Sequence, residues 1–124
     1  MFCIDTSSLI AYLEGVQGED VDLIEQAFSD QVGMISPITL AELLSDPQLK
    51  KPVRQAILQL PVLSIKEGYW ERAGLLRAKL LRGGHKAKLA DSLIAQNCLD
   101  HEATLVTRDG DFKVFKRLAG LRIV

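Results

Sequence analysis

Four carboxylates stand where a soluble domain would ordinarily put something apolar. Asp5 closes the run Met1-Phe2-Cys3-Ile4-Asp5, and Glu42 sits within Ile38-Thr39-Leu40-Ala41-Glu42-Leu43-Leu44. Asp91 lies in Leu89-Ala90-Asp91-Ser92-Leu93-Ile94-Ala95, and Asp109, with Asp111 two residues on, follows Thr104-Leu105-Val106-Thr107-Arg108. Each abuts a hydrophobic segment, which predicts a backbone anchored in the core. A carboxylate is rarely buried unless it is paired or bound to a cation, because desolvating a lone ion is costly. Glu42 has no Lys or Arg three or four residues away on either side. A divalent metal would satisfy several such groups at once, and an all-oxygen ligand set selects Mg²⁺ or Mn²⁺ over zinc.

Singly, each acid has a plainer use. Asp5 could cap a helix, Glu42 could be solvated, and Asp91 could favour a helix N-terminus. Asp109-Gly110-Asp111 reads as a turn. Their joint occurrence on one element order is what points to a site.

That order alternates short apolar runs with helical patterns. Strands are expected at Phe2–Asp5, Val32–Ile35, Val62–Ile65, Thr104–Val106 and Leu121–Val124, from compact apolar runs bounded by turn residues. Helical periodicity is expected at Leu9–Leu13, Val21–Ser29, Pro52–Leu60, Glu67–Leu81 and Lys88–Asp100, with a helical turn over Asp109–Lys116. Ser36-Pro37 supplies a start signal for the helix that carries Glu42, Ser as N-cap and Pro at the first turn. Such alternation predicts a parallel sheet covered on both faces. Ligands of such sheets bind beyond the carboxyl ends of the strands, and Asp5, Asp109 and Asp111 fall there. Glu42 about two turns into its helix and Asp91 in the first turn of its own can converge on the same edge.

The 124 residues form one domain, 1–124, long enough to bury a core. With 48% hydrophobic and 25% charged residues the chain is expected to be globular rather than disordered. No apolar run approaches the ~18 residues of a membrane span. No basic leader precedes the first apolar run, so a cytoplasmic location is expected. Cys3 and Cys98 lack metal or redox spacing and read as small hydrophobes.

The net charge of −1 conceals an asymmetry. Residues 1–49 carry nine acids and no Lys or Arg, and all 15 basic residues lie in 50–124. Arg72, Arg77, Lys79, Arg82, Lys86 and Lys88 fall together with His85 and no intervening acid. An acidic half beside a basic stretch suits a metal centre next to a phosphate-binding surface. Helical geometry prevents all six from facing one way, so about half would contribute. Tyr69 and Trp70 could stack on bases, or serve the core or a dimer contact.

The chain resembles the PIN-domain ribonucleases, and among them the small VapC-type toxins of toxin–antitoxin pairs. Ile4-Asp5-Thr6-Ser7, Thr39-Leu40-Ala41-Glu42-Leu43, Leu89-Ala90-Asp91-Ser92-Leu93-Ile94-Ala95 and Leu105-Val106-Thr107-Arg108-Asp109-Gly110-Asp111-Phe112 carry the resemblance, in order and nearly end to end. It implies an α/β fold, a three-layer α/β/α sandwich around a central parallel sheet, and a metal-dependent endoribonuclease. The family's acids match Asp5, Glu42, Asp91 and either Asp109 or Asp111, with Asp109 favoured. Asp5 and Asp91 would be direct Mg²⁺ or Mn²⁺ ligands. Thr6 or Ser7, and Thr107, match hydroxyls that support the site. Arg72, Arg77, Arg82, Lys86 and Lys88 are the expected RNA contacts, and a homodimer silenced by an antitoxin is the expected assembly. A cellular RNA-processing nuclease and an inactive PIN-like interaction module are the alternatives. A dehalogenase-like phosphatase would need an acid at position 7, which is Ser, and a receiver domain would need a buried Lys near the last strands.

Overall fold

The computed structural model describes residues 1–124. Three parallel strands, β1 (Phe2–Ile4), β2 (Gly33–Met34) and β3 (Thr104–Val106), are ordered β2-β1-β3. Seven helices surround them: α1 (Thr6–Leu13), α2 (Glu19–Ser29), α3 (Pro37–Leu44), α4 (Lys51–Leu58), α5 (Tyr69–Arg82), α6 (Leu89–Asp100) and α7 (Lys113–Ala119). A short 3-10 turn over Gly110–Phe112 leads into α7.

Strand alternation explains the layers. Successive side chains leave opposite faces of a strand, so Cys3 and Leu105 join one core while Ile4 and Val106 join another. The first core packs Leu80 of α5, Ile94 and Cys98 of α6, and Phe115 of α7. The second packs Leu9 of α1, Ile24 of α2, Leu43 of α3 and Ile57 of α4. The sheet therefore lies between two helical layers, the three-layer architecture expected from the sequence. Cys3 and Cys98 are free, fully buried thiols. No helix is long and apolar enough to cross a membrane.

Two expected strands shrink to single bridges, Ile35 with Val62 and Leu105 with Ile123. The Val62–Ile65 strand stops because the Ser64 carbonyl turns to α6. It accepts from Asn97 Nδ2 at 3.2 Å and meets His101 Nε2 at 2.8 Å. Helix starts follow local chemistry: Ser36 Oγ accepts from the Ile38 amide and Pro37 opens α3, as expected from the sequence. Helix α1 begins at Thr6 rather than Leu9, so Thr6-Ser7-Ser8 forms its first turn. Tyr69 is buried, and its hydroxyl donates to the Leu93 carbonyl.

Candidate metal centre

Register brings the first components together. Ile4 pairs with Val106, and the Asp5 amide donates to the Val106 carbonyl at 2.9 Å. Asp5 and Thr107 are therefore the next positions beyond two adjacent carboxyl ends. Asp5 occupies the N-cap position of α1, but its side chain caps nothing there. Instead its Oδ2 accepts from Thr107 Oγ1 at 2.7 Å and from Ser7 Oγ at 3.1 Å. Each hydroxyl in turn accepts a backbone amide: Arg108 N–H reaches Ser7 Oγ and Asp109 N–H reaches Thr107 Oγ1, both at 3.0 Å. Each hydroxyl can thus accept an amide and donate to Asp5, and the two lie 3.2 Å from one another. Asp5 is buried, 4% exposed as a residue, and its carboxylate is oriented by these hydroxyls with no Lys or Arg paired to it.

Asp91, Asp109 and Asp111 form the second component, with ligand oxygens all within 4.8 Å of one another. Asp91 is the third residue of α6, Asp109 caps the 3-10 turn after β3, and Asp111 lies within that turn. The Asp109 carboxylate accepts from the Asp111 amide at 2.9 Å, which folds the turn so that both acids face Asp91. Burial and then the charge of Asp109 push the Asp91 carboxyl up to about 6. Asp5 and Asp111 add to this rise, and Lys88 opposes it. Lys88 Nζ lies 3.2 Å from Asp111 Oδ2, a pair that is largely solvent-exposed.

Glu42 stands outside that trio. Its side chain is exposed on α3 and accepts from Thr6 Oγ1 at 3.0 Å, one residue after Asp5. Of these acids only Asp5 is itself buried. The others sit on segments anchored by apolar neighbours such as Leu43, Ile94 and Val106, while their carboxylates reach a solvent-accessible edge.

The basic residues divide by location. Lys86 and Lys88 line a cavity shared with Asp91 and Asp111. Arg77 Nε donates to the Ala87 carbonyl at 2.8 Å, bracing the loop before α6. Arg72 lies away from the acids. Its Nε and an Nη group bind the two oxygens of Asp100 at 3.0 and 2.6 Å. Asp100 ends α6, about 14 Å along the helix from Asp91. Arg82 is exposed at the end of α5.

Three residues of a supporting clamp carry no signal in the sequence reading. Arg108 binds both oxygens of Asp20, at 2.6 and 2.8 Å, and Ser8 Oγ donates to Asp20 Oδ2 at 2.9 Å. The Arg108 hydrogen bond, opposed by burial and aided by Ser8, holds the Asp20 carboxyl down to about 2. The clamp ties the segment bearing Thr107 and Asp109 to the start of α2. Lys113 and Arg117, which line the same cavity as Lys86, were also outside the expected basic run. Their four-residue spacing in a helical segment was the available signal.

A model of the PIN domain matches residues 2–120. The chain belongs to the PIN-domain family. It is 28% identical over 130 residues to the VapC ribonuclease Mb1587 of Mycobacterium bovis and to the ribonuclease VapC11 of Mycobacterium tuberculosis. Each alignment covers 98% of this chain and 96% of the relative. Among solved structures, VapBC2 from Rickettsia felis bound to a promoter DNA fragment superposes with a TM-score of 0.75 at 26% identity. VapBC-1 from nontypeable Haemophilus influenzae also gives 0.75, at 23% identity, and that likeness speaks to the fold. Both cover 99% of this chain and 96% of theirs. Within this PIN domain the clustered oxygens of Asp91, Asp109 and Asp111 fit a hard divalent cation, whose charge would offset their mutual repulsion.

Proposed function

We propose that the chain is a divalent-metal-dependent endoribonuclease, the toxin of a type II toxin–antitoxin pair. The observation that carries this reading is the trio of Asp91, Asp109 and Asp111, crowded within 4.8 Å beside the oriented Asp5. The VapC ribonucleases at 28% identity and the VapBC complex at 26% support the substrate and the partner.

Asp5, Asp91 and Asp109 would hold Mg²⁺ or Mn²⁺, with Asp111 as a further ligand. When bound, the ion supplies Lewis acidity, lowering the pKa of water and neutralising charge as the phosphodiester is attacked. Ser7 and Thr107 fix the Asp5 carboxylate through Oδ2, which would hold it in place beside a bound cation. Glu42, held by Thr6, orients the attacking water. With water as nucleophile the reaction needs no 2′-hydroxyl and leaves a 5′-phosphate. The loop residues Lys86 and Lys88 sit beside the acids and contact the RNA backbone. Arg77 supports that loop, Arg82 extends the basic surface, and Arg72 serves the fold through Asp100.

A basic antitoxin side chain reaching the carboxylates would silence the enzyme by replacing the metal's charge. A homodimer completes the assembly, for which the exposed Trp70, Leu75 and Leu81 of α5 supply apolar surface. Light scattering on the purified chain tests that assembly, a monomer at micromolar concentration contradicting it. All the family's acids are present, so nothing favours an inactive module.

Purified wild type and Asp5→Asn, incubated with mixed single-stranded RNAs in Mg²⁺, Mn²⁺ or EDTA, test the activity. Metal-dependent cutting that vanishes in the variant is expected. RNA cutting that survives EDTA, or an active Asp5→Asn, would overturn the proposal.

A further inference from the structure

The cavity beside the acidic trio, about 390 Å³, has walls of opposite charge. Asp91 and Asp111 form one side. His85, Lys86, Lys88, Lys113 and Arg117 form most of the rest. The basic groups come from two elements, the loop between α5 and α6 and the helix α7. Lys113 and Arg117 lie four residues apart on α7 and so share a face. Arg77 fixes the opposite wall through the Ala87 carbonyl. Lys88 is engaged by Asp111, whereas Lys86, Lys113 and Arg117 have no ionic partner.

Unpaired cations facing a concave space raise the local potential and concentrate anions. Here the anion must also tolerate two carboxylates on the facing wall. A polyanion does so when one of its charges meets a metal at that wall and the next meets the cations. We infer that this cavity seats a phosphate of single-stranded RNA next to the one cleaved, with Lys86, Lys113 and Arg117 as its ligands. The inference rests on the nuclease reading above and moves the backbone track from α5 to α7. A concave pocket of this size suits a flexible single strand, whose phosphates can turn inward, better than a rigid duplex.

Binding of a short fluorescein-labelled RNA of mixed sequence, followed by anisotropy in Ca²⁺ across a salt series, tests it. The variant Lys113→Ala/Arg117→Ala is compared with Arg54→Ala/Lys66→Ala, which removes the same charge from another surface. Each lost phosphate contact lowers the salt slope by about 0.7, so the α7 variant should fall by about 1.4 with roughly tenfold weaker binding. Lys86→Ala should fall by about half as much. The control variant should keep the wild-type slope, and Mn²⁺ affinity should be unchanged in all of them. Equal losses in both double variants would reduce the effect to net charge and overturn the site. An unchanged α7 variant in an enzyme that still cuts RNA would overturn the site alone, as would an α7 variant that loses only an acidic protein partner. A wild type that neither binds nor cuts RNA would overturn the nuclease reading and this site with it.

Discussion

Asp91 and Asp100 lie at opposite ends of α6, and their surroundings drive their acidities apart. Burial acts on both. At Asp100 the Arg72 guanidinium and the Gln96 amide outweigh it and hold the carboxyl below its usual value. At Asp91 the neighbouring Asp109, Asp5 and Asp111 reinforce it, and the carboxyl rises to about 6. One end of the helix is a finished structural ion pair. The other is an arrangement whose charges remain to be compensated, and that contrast separates a binding site from scaffold on a single element.

The largest expected effect is on activity at the uncompensated end. Asp91→Asn should lower RNA cleavage by about 10³-fold, as several kcal/mol of charge stabilisation are lost with the metal. Asp100→Ala should leave kcat/KM within about twofold when assayed well below its melting temperature, because no substrate or metal contact is removed.

Stability should move the other way. Asp91 prefers to be neutral in the fold, so its relative stabilisation is full below pH 3.8 and is lost as pH rises through about 6. That difference corresponds to at most ~3 kcal/mol, and to about 1–2 kcal/mol after solvent screening. Asp91→Asn should therefore raise the melting temperature of the metal-free protein at pH 7 by several degrees. Wild type in EDTA should gain stability between pH 7.5 and 5, and the variant should lack that gain. Asp100, with its lowered pKa, stabilises above the ordinary carboxylate range and loses its contribution only as pH falls. Asp100→Ala should then cost about 1–2 kcal/mol at pH 7, measured by urea unfolding. A stabilised Asp100→Ala would break the comparison.

Smaller effects should come from groups that act through Asp5. Thr107→Val removes a donor to Asp5 and the acceptor for the Asp109 amide, and should weaken Mn²⁺ affinity and kcat by about 10–100-fold. Thr107→Ser should restore most of both, which loss of packing alone would not allow. Asp20→Asn should have the smaller effect of the two, a loss of severalfold in kcat with KM little changed, as the Arg108 clamp loosens around Thr107 and Asp109.

The acidic cluster was legible because it is local to strand ends and helix starts, where chain order alone predicts convergence. Asp5 could be named from an apolar run that stops at a carboxylate, Asp91 from one that contains it, and Asp109 from its place just beyond one. The layers were legible from alternating elements, and Ser36-Pro37 announced α3 through a purely local interaction. What the sequence hid was long-range. Nothing in Arg108 points to Asp20, 88 residues away, or in Arg72 to Asp100. A run of like charges showed that basic groups existed but not which way they face, so Arg72 was grouped with Lys86 although they serve opposite ends of α6. Strand lengths were overestimated where side chains from α6 intercept the Ser64 carbonyl.

Titration of the purified, metal-free protein with Mn²⁺ by calorimetry, wild type beside Asp91→Asn, addresses the carboxylate centre most directly. Saturable binding by wild type that weakens at least about tenfold in Asp91→Asn, while Asp100→Ala binds as wild type does, is the predicted result. Equal binding by wild type and Asp91→Asn, or none by wild type, would contradict it.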